Sequence, residues 1–591
     1  MRSISRRMCS LLVALGLVLG GAALGQENVF KRAIVADVKG FDPCNAADVY
    51  CCDVVANVFE TLVQYSYLDR PCKVIPCLAE AMPQVSADLL TYTFKLRKGV
   101  KFTDDACFKA TAGKGRELTA TDVIYSFKRI CDSRNHSYGW PSFDKKVLGI
   151  NAWHAASGEA KDNSIYDKPV EGFLAPDPYT VVIKLTEPYP QLLYNLCSPT
   201  LSVVPREAVE TYGQEFLNHP VGTGPYKVKE WTRNSKIIFD RNLGWRGETY
   251  PTTGEPGDKE SGLLADAGKP IPFVDTLEIH IITEDQPTWL RLLKGELDQG
   301  GIPKDNFDAA IDPKTRELRK EFADKGMRLF KQNEPDITLT AFNLEDPVLG
   351  KSNLLRQAMS LAYDNARRLE LFYNNRAVPA QTPIPPGMFG YDEKRENPYG
   401  KKDIAKAKEL MAKAGYPDGQ GLPEFTFEGM ADTTSRQFGE LFQRDMAKLG
   451  IKINCNGNTW PEFNAKMRSK RAQIFGYGSH ASYPDPEDFL SLFYGPNEAP
   501  GPNAVNMKNA KYDELYRKMA IMSDGPERMK VIDEMVKLIW DVTPAIWGFH
   551  RIGFRLVHAW VSNFKPHPFG YGFSKYYKVD PAMREAKKKE L

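Results

Sequence analysis

Between residues 478 and 485 the chain places small polar side chains beside a histidine and an aspartate. His480 can hydrogen-bond an anionic ligand, and its imidazole can also change charge near neutral pH. The alternative is a loop histidine whose hydrogen bonds are satisfied locally. Asp485 stands directly before Pro486, where a helix pattern begins, so we expect it to cap that helix and to bind no ligand.

Nine cysteines follow the first apolar segment, and seven of them fall between residues 44 and 131. A metal site needs closely spaced ligands, yet the sequence has no Cys-x-x-Cys pair and no His-Glu-x-x-His run. In an exported protein, crowded cysteines indicate disulfides instead. We therefore predict at least two disulfides, each stabilising the fold by about 2 to 4 kcal/mol, together with a free thiol. We predict no metal and no cofactor.

The sequence lacks the motifs of a hydrolase. It has no Gly-x-Ser-x-Gly elbow, no zinc motif, and no paired carboxylates in a local sequence that suggests a shared site. The turn from Gly222 to Gly224 is rich in glycine, but a phosphate-binding loop continues as Gly-Lys-Ser/Thr into a helix. Here Pro225 and Tyr226 open a strand pattern instead. We therefore expect a structural turn at this position and a protein that is not an enzyme.

The N-terminus has the three parts of a secretory signal peptide. Three arginines precede an apolar run from 11 to 19, and small residues ending at Gly25 offer a cleavage site before Gln26. The run is too short to span a bilayer, and the absence of cysteine after the cleavage site disfavours a lipid anchor. We predict a signal peptide over 1–25, cleaved near Gly25/Gln26, and a periplasmic protein. General secretion and twin-arginine export both remain open.

Length and composition limit the class of protein. A chain of 591 residues exceeds the size of a single core, so two or more domains are expected. The net charge of +3 comes from mixed signs without a basic stripe, so nucleic acid is not an implied partner. Short-period repeats and low-complexity tracts are absent. Strand and helix patterns alternate over most of the length, which indicates α/β domains.

The stretch from 90 to 102 shows the strand pattern most clearly. Tyr92, Phe94 and Leu96 alternate with polar residues, which is typical of a half-buried strand. The dipeptide Lys98-Gly99 then predicts a turn, after which the alternation resumes. This segment therefore predicts a β-hairpin.

Capping signals predict several helices. Thr119 followed by Asp122 is typical of a capping box at the start of an apolar stripe. A second stripe runs from 404 to 414 and is followed by Gly415, a residue suited to a left-handed cap. Pro526 occupies a first helical position before a third stripe.

Seven segments in the same order resemble the family 5 extracellular solute-binding proteins, the peptide-type receptors of bacterial ABC importers. The resemblance is spread over nearly the whole mature chain. The segments are FDPCNAADVYCCDVVANVFETLV from Phe41, LTYTFKLRKGVKF from Leu90, LTATDVIYSFKRI from Leu118, VGTGPYKVKEW from Val221, RAVPAQTPIPPG from Arg376, AKELMAKAGYPDG from Ala407 and YPDPEDFLSLFY from Tyr483.

The resemblance implies an α/β, two-lobed periplasmic binding protein (type II, cluster C) with an extra inserted domain, closing on ligand like a hinged clamp. It implies a receptor that passes a small solute or short peptide to an ABC permease and ATPase complex in the inner membrane. We expect a monomer. The implied boundaries are lobe I at 26–64, 190–336 and 547–591, the inserted domain at 65–189, and lobe II at 337–546.

Peptide receptors of this family commonly hold the ligand's α-amino group with the aspartate of a Gly-Trp-x-Ala-Asp-Tyr run. The corresponding run here is 478–483, with Ser479 at the tryptophan position and Ser482 at the aspartate position. A buried ammonium without a carboxylate costs several kcal/mol, or about a thousandfold in affinity. The resemblance therefore disfavours a free-amine anchor at this position. If the ligand is nevertheless a peptide, another acid must take the place of this aspartate. Asp48 and Asp485 are the candidates that lie nearest to it in the matched motifs.

Other ligand-binding positions carry over from the resemblance. Ala47, Asp48 and Val49 match an extended segment whose backbone can pair with a peptide. Trp460 matches an aromatic residue that lines the ligand cavity, and Trp547 lies where the chain crosses back beside the cleft. For both tryptophans the alternative to a place in the ligand cavity is packing in a hydrophobic core. The predicted ligand-binding residues are therefore Ala47, Asp48, Val49, Trp460, Gly478, Ser479, His480, Ser482 and Trp547.

Two other functions remain open at this point. The first is a receptor of the same fold for an oligosaccharide, an opine, a metal complex or haem, and the missing aspartate favours it somewhat. The second, from a different class, is a secreted hydrolase. A receptor shows saturable binding without turnover, which separates the two classes. Transport and chemosensory signalling are both outputs of such a receptor.

Overall fold

The computed structural model describes residues 28–46 and 48–591, so the predicted signal peptide and Ala47 lie outside the described residues. The strands are β1 (Val29–Ile34), β2 (Val63–Tyr65), β3 (Val74–Pro76), β4 (Gln84–Val85), β5 (Thr91–Lys95), β6 (Phe173–Asp177), β7 (Thr180–Lys184), β8 (Tyr226–Thr232), β9 (Lys236–Arg241), β10 (Glu248–Thr249), β11 (Pro270–Ile271), β12 (Thr276–Ile281), β13 (Gln299–Gly301), β14 (Met327–Asn333), β15 (Asp336–Phe342), β16 (Ala377–Pro379), β17 (Phe425–Met430), β18 (Ile453–Asn458), β19 (Ile474–His480), β20 (Ala545–His558), β21 (Val561–Ser562) and β22 (Lys578–Val579).

The α-helices lie between these strands for most of the chain, as the alternating patterns predict. They are α1 (Val49–Val58), α2 (Ala120–Cys131), α3 (Ile150–Gly158), α4 (Leu192–Asn195), α5 (Arg206–Tyr212), α6 (Asp285–Leu293), α7 (Phe307–Ala310), α8 (Lys320–Asp324), α9 (Asn353–Ala362), α10 (Asn365–Tyr373), α11 (Ile404–Lys413), α12 (Thr433–Ala447), α13 (Trp460–Arg468), α14 (Pro486–Leu490), α15 (Ala510–Ala520), α16 (Pro526–Val542) and α17 (Pro581–Lys588).

Three sheets carry most of the strands. The first has the order β1-β12-β9-β8, with β1 parallel to β12 and the other pairs antiparallel. The second is antiparallel, with the order β4-β5-β7-β6. The third and largest runs β13-β20-β15-β19-β17-β18, and both β14 and β16 pair with β20. The candidate site lies where β1 and α1 face the end of β19 in this third sheet.

Strand β20 spans both halves of the large sheet. Near its start Trp547 pairs with Leu339 of β15, and near its end Arg555 pairs with Phe330 of β14. Its fourteen residues thus connect β15, the neighbour of β19, to β13 and β14.

The buried apolar side chains form separate cores. One core draws on residues between 30 and 281 and between 557 and 579, and two others lie between 337 and 547. Side chains from the predicted inserted domain, such as Phe94 and Ile183, share the first core with Phe30 and Val54. The predicted inserted segment is therefore packed into the first core. The domain boundaries themselves stay a prediction.

Local signals in the sequence predicted several elements correctly. Thr119 and Asp122 form the capping box of α2, and Pro526 is the first residue of α16. Gly415 follows α11 with a φ of +89°. At the glycine-rich turn, a Cβ on Gly222 would lie 2.1 Å from the carbonyl oxygen of Val58, so this turn serves close backbone packing and leads into β8.

The predictions of a β-hairpin and of disulfide bonds are both wrong. Strand β5 forms as predicted, but it pairs with β4 and β7 rather than with the residues that follow Gly99. The cysteines do not form the expected disulfides, since all nine between Cys44 and Cys455 are free thiols. Cys44, Cys107 and Cys131 are buried in the first core, where a thiol packs as a small apolar group.

Candidate functional site

A cavity of about 400 Å³ lies between the first sheet and the large sheet, and we call it the cleft cavity. Strand β1 contributes Arg32, helix α1 contributes Val49 and Asp53, and β19 contributes His480. The segment from 564 to 577 supplies much of the remaining wall. The cavity therefore brings together parts of the chain that are hundreds of residues apart.

The walls of the cleft cavity carry charges of both signs. Arg32 and Asp53 form an ion pair across its first-sheet side. Glu334 also lines the cavity, and burial raises the pKa of its carboxyl while Arg551 and His480 oppose that shift. Among the residues that the structure describes, no cation lies within ion-pair distance of Glu334. This carboxylate is therefore available to a positively charged ligand group.

A second cavity, of about 270 Å³, lies between strands of the large sheet and the helices α10, α12 and α13. We call it the aromatic cavity. Most of its lining is apolar and comes from α10, α12, α13, β17 and β19. Trp460, at the start of α13, lines it and is 58% exposed. Arg368 of α10 is the only charged residue among the described residues that line it. An exposed aromatic at the rim of an apolar cavity is typical of a binding site.

Strand β19 borders both cavities and has an open edge. Gly476, Tyr477 and Gly478 line the aromatic cavity, whereas His480 lines the cleft cavity. On one side β19 pairs with β15 along its whole length. On the other side β17 pairs with it only at Ile474 and Phe475. Within the described residues, the outer backbone edge from 476 to 480 thus has no strand partner.

Four of the predicted ligand-binding residues line these cavities. Trp460 and Gly478 lie on the aromatic cavity, and Val49 and His480 lie on the cleft cavity. Val49 does so as the first residue of α1 rather than as part of an extended segment. The His480 ring nitrogen Nδ1 lies 3.0 Å from the carbonyl oxygen of Ala481, and its side chain is exposed to the cleft.

The other predicted residues lie elsewhere. Asp48 caps α1 by accepting hydrogen bonds from the backbone N–H groups of Tyr50 and Cys51. Ser479 and Ser482 line neither cavity. Trp547 is 4% exposed, packs edge-on against Phe493 and lines neither cavity, as its core-packing alternative predicts. Its ring fills the core behind β15, so it has a packing role.

The turn after β19 holds a cluster of acids. The backbone N–H of Ser482 donates to Asp488 at 2.6 Å. Burial raises the pKa of Asp488 to about 7, and the neighbouring charges of Glu487 and Asp485 add to the shift. Asp485 caps α14, as predicted, and is also paired with Arg528. An aspartate at 482 would add a further carboxylate to this crowded cluster.

Glu334 and Arg368 are the functional candidates that sequence reasoning missed. Glu334 follows β14 in a polar stretch, and Arg368 stands beside Arg367 in a helix with many charged residues. Charged residues in such contexts are usually solvated. Only the tertiary structure shows that Glu334 borders a cavity and that Arg368 is 5% exposed.

One group of potential metal ligands occurs in the described part of the chain. Glu60, Cys77 and Glu248 bring ligand atoms close together. However, Arg246 is paired with both glutamates, and Lys575 is paired with Glu248. The two cations already balance the two carboxylates, so this group is better explained as a buried ion-pair network.

Comparison with known proteins identifies the family. The family described as bacterial extracellular solute-binding proteins, family 5, middle region, matches residues 73–501. This match covers well over half of the sequence. The chain belongs to the family 5 solute-binding proteins. Proteins of this family are transport receptors rather than enzymes, so the prediction of a non-catalytic receptor is confirmed.

Several curated relatives of this family 5 protein match over most of their length. Heme-binding protein A of Haemophilus influenzae is 27% identical over 87% of this chain and 85% of its own. Di/tripeptide-binding protein 2 of Pseudomonas aeruginosa is 25% identical over 94% of this chain and 96% of its own. The dipeptide-binding protein of Escherichia coli is 25% identical over 84% of this chain and 85% of its own.

Solved structures confirm the predicted fold class. The Helicobacter pylori periplasmic binding protein DppA, in complex with the peptide STSA, superposes with a TM-score of 0.69 at 22% identity, covering 93% of this chain and 98% of its own. HbpA2 from Haemophilus parasuis superposes with a TM-score of 0.72 at 22% identity, covering 94% of this chain and 100% of its own. This family 5 protein is therefore a two-lobed α/β binding protein. In its described residues, no helix combines the length and the apolar character needed to cross a membrane.

Proposed function

We propose that this family 5 protein is the periplasmic receptor of an ABC importer and that it holds a peptide or peptide-like solute in the cleft cavity. The open edge of β19 beside both cavities is the observation that carries the proposal. An extended peptide can add to such an edge through backbone hydrogen bonds, which do not depend on its side chains. The relatives named for dipeptides and tripeptides support the same solute class.

The proposal includes export and a membrane partner. The N-terminal pattern supports cleavage near Gly25/Gln26, and the family supports delivery to an ABC permease and ATPase complex. The receptor acts as a monomer. Its domain boundaries are those predicted from the sequence, with the hinge crossing at the start of β20.

The cleft offers an acid for the ligand's amine in place of the missing aspartate. Asp48 and Asp485 both serve as helix caps, so they are engaged elsewhere. Glu334 lines the cleft cavity, lies two residues from the start of β15, and carries no ion pair among the described residues. Burial raises the pKa of its carboxyl, and a positively charged ligand group beside it would favour the charged form. An ammonium group would provide the missing partner.

Replacing Glu334 with glutamine should weaken the binding of a free-amine tripeptide about 10- to 100-fold, because a hydrogen bond to a charged group contributes about 1.5 to 3 kcal/mol. The affinity of the N-acetylated tripeptide should not change. Calorimetry on both peptides measures the effect, with Glu321→Gln on exposed α8 as the matched control. Ser482→Asp should restore no affinity.

A different result would reassign the amine. If wild-type protein binds the free-amine peptide tightly and Glu334→Gln binds it equally well, the ammonium is held by another group. If Ser482→Asp strengthens free-amine binding in the Glu334→Gln background, the ammonium lies beside position 482 rather than beside Glu334.

Ligand binding should close the two lobes and stabilise the fold. A ligand that binds only the folded protein, at about one hundred times its dissociation constant, should add about 2.7 kcal/mol to the free energy of unfolding. A thermal shift measures this gain, and small-angle scattering should show a smaller radius of gyration at saturation. Identical scattering curves with and without saturating ligand would contradict the clamp motion.

A further inference from the structure

Among the described residues that line the aromatic cavity there is one buried positive charge, and no described acid forms an ion pair with it. Arg368 is 5% exposed, and its Nε and Nη1 atoms are buried without a hydrogen-bond partner. Its guanidinium lies over two rings, with its central carbon 4.6 Å from the centroid of Phe438 and 5.2 Å from that of Phe549. The rings hold the guanidinium in place, but they supply no negative charge.

Other buried arginines in this chain show what Arg368 lacks. Arg129, Arg528 and Arg584 each bind an aspartate through their guanidinium groups. Arg356 donates to backbone carbonyl oxygens of the segment after α16 and of the turn before α9. Within the described residues, Arg368 has neither kind of partner on Nε and Nη1. A buried guanidinium left in this condition is costly unless an anion neutralises it.

We infer that the aromatic cavity is an anion subsite that accepts a carboxylate carried on an apolar or aromatic stem. The apolar walls would bury the stem, and Arg368 would bind the carboxylate, for which its planar N–H groups are suited. The cavity also has room for such a group, because a Cβ placed on Gly476 would meet no described atom within 4 Å.

As a peptide subsite, this inference rests on the proposed function. Gly476 and Gly478 line the aromatic cavity, and His480 lines the cleft cavity on the same strand. Residues two apart on a strand are separated by about 7 Å. A peptide with its amine in the cleft and its backbone on the β19 edge would thus bring a carboxylate of its next residues to Arg368. The carboxylate can belong to an acidic side chain or to the C-terminus.

The first test uses small probes that do not depend on peptide binding. Calorimetry should show that wild-type protein binds 4-phenylbutyrate at least tenfold more tightly than 4-phenylbutyramide. Arg368→Met should remove this preference, and Arg368→Lys should keep part of it. Arg367→Met is the matched control, since Arg367 is an exposed neighbour on α10 paired with Glu370, and it should keep the full preference.

A second variant keeps the test decisive if Arg368→Met does not fold. Gly476→Leu fills the cavity and leaves Arg368 in place, so it should abolish binding of 4-phenylbutyrate. Equal binding of the acid and the amide by wild-type protein would overturn the inference. An undiminished preference in folded Arg368→Met, or undiminished acid binding in Gly476→Leu, would overturn it as well.

The second test identifies the source of the carboxylate. Wild-type protein should bind Ala-Glu-Ala at least tenfold more tightly than Ala-Gln-Ala if the side chain occupies the subsite. If the C-terminal carboxylate occupies the subsite instead, wild-type protein should bind Ala-Gln-Ala more tightly than the C-terminal amide of the same peptide. Either preference should disappear in Arg368→Met. If no peptide binds but 4-phenylbutyrate still shows its preference, the proposed peptide function fails while the anion subsite stands.

Discussion

Replacing Asp485 with alanine is expected to lower the free energy of unfolding by about 3 to 5 kcal/mol, because it leaves a buried charge without its partner. Arg528 is 1% exposed, and it binds the two carboxylate oxygens of Asp485 at 2.7 and 2.9 Å. Asp524 is exposed and contacts only one of its nitrogens, so it would compensate in part. Denaturant unfolding of the two proteins measures the difference.

A control on the same helix separates burial from simple loss of charge. Glu527 and Lys530 form an exposed pair on α16, and Glu527→Ala should lower the free energy of unfolding far less than Asp485→Ala does. The double variant Asp485→Leu/Arg528→Met should regain much of the stability lost by Asp485→Ala, since apolar replacement of both partners removes the unpaired charge. A loss in Asp485→Ala no larger than in Glu527→Ala would show that the buried pair contributes little.

The stability of the wild-type protein should fall more steeply between pH 4 and pH 7 than that of Asp488→Asn. The pKa of Asp488 is raised to about 7 by burial, whereas an aspartate in the unfolded chain titrates near 3.9. Between these values the unfolded state loses its proton first, so rising pH favours unfolding by about 1.4 kcal/mol per unit. The penalty is absent below pH 4 and complete above pH 7.

Unfolding of both proteins at pH 4, 6 and 8 tests this expectation. The stability of Asp488→Asn relative to wild type should grow with pH and reach up to about 4 kcal/mol at pH 8. The hydrogen bond from the Ser482 N–H favours the charged carboxylate and opposes this effect. A difference between the two proteins that stays constant from pH 4 to pH 8 would mean that the Asp488 pKa is not raised.

The sequence predicted correctly the helix ends that are set by hydrogen bonds between neighbouring residues. The box formed by Thr119 and Asp122 and the cap at Asp485 depend only on residues three or fewer positions away, and both occur as expected. The hairpin after Lys98-Gly99 is wrong for the opposite reason. Strand β5 pairs with the preceding β4 and with β7, which lies about ninety residues later and cannot be recognised from the turn alone.

The candidate site was predicted only in part, because its residues take their roles from tertiary contacts. Trp460 and Trp547 are both tryptophans at positions matched to relatives, yet one is 58% exposed and the other 4%. Arg368 has the sequence context of a surface arginine, and its burial results from packing under α12 and β20. The type of a residue thus indicated possible chemistry, whereas its surroundings decided which residues face a cavity.

We propose that this family 5 protein captures a peptide-like solute and releases it unchanged. Native mass spectrometry of the purified protein, mixed with a defined set of di- to pentapeptides, tests it most directly. We predict saturable one-to-one complexes with a subset of peptides, and denaturation should return every bound peptide intact. Failure to form any peptide complex would show that the protein is not a peptide receptor, and recovery of cleaved peptides that were intact at the start would show that it is an enzyme.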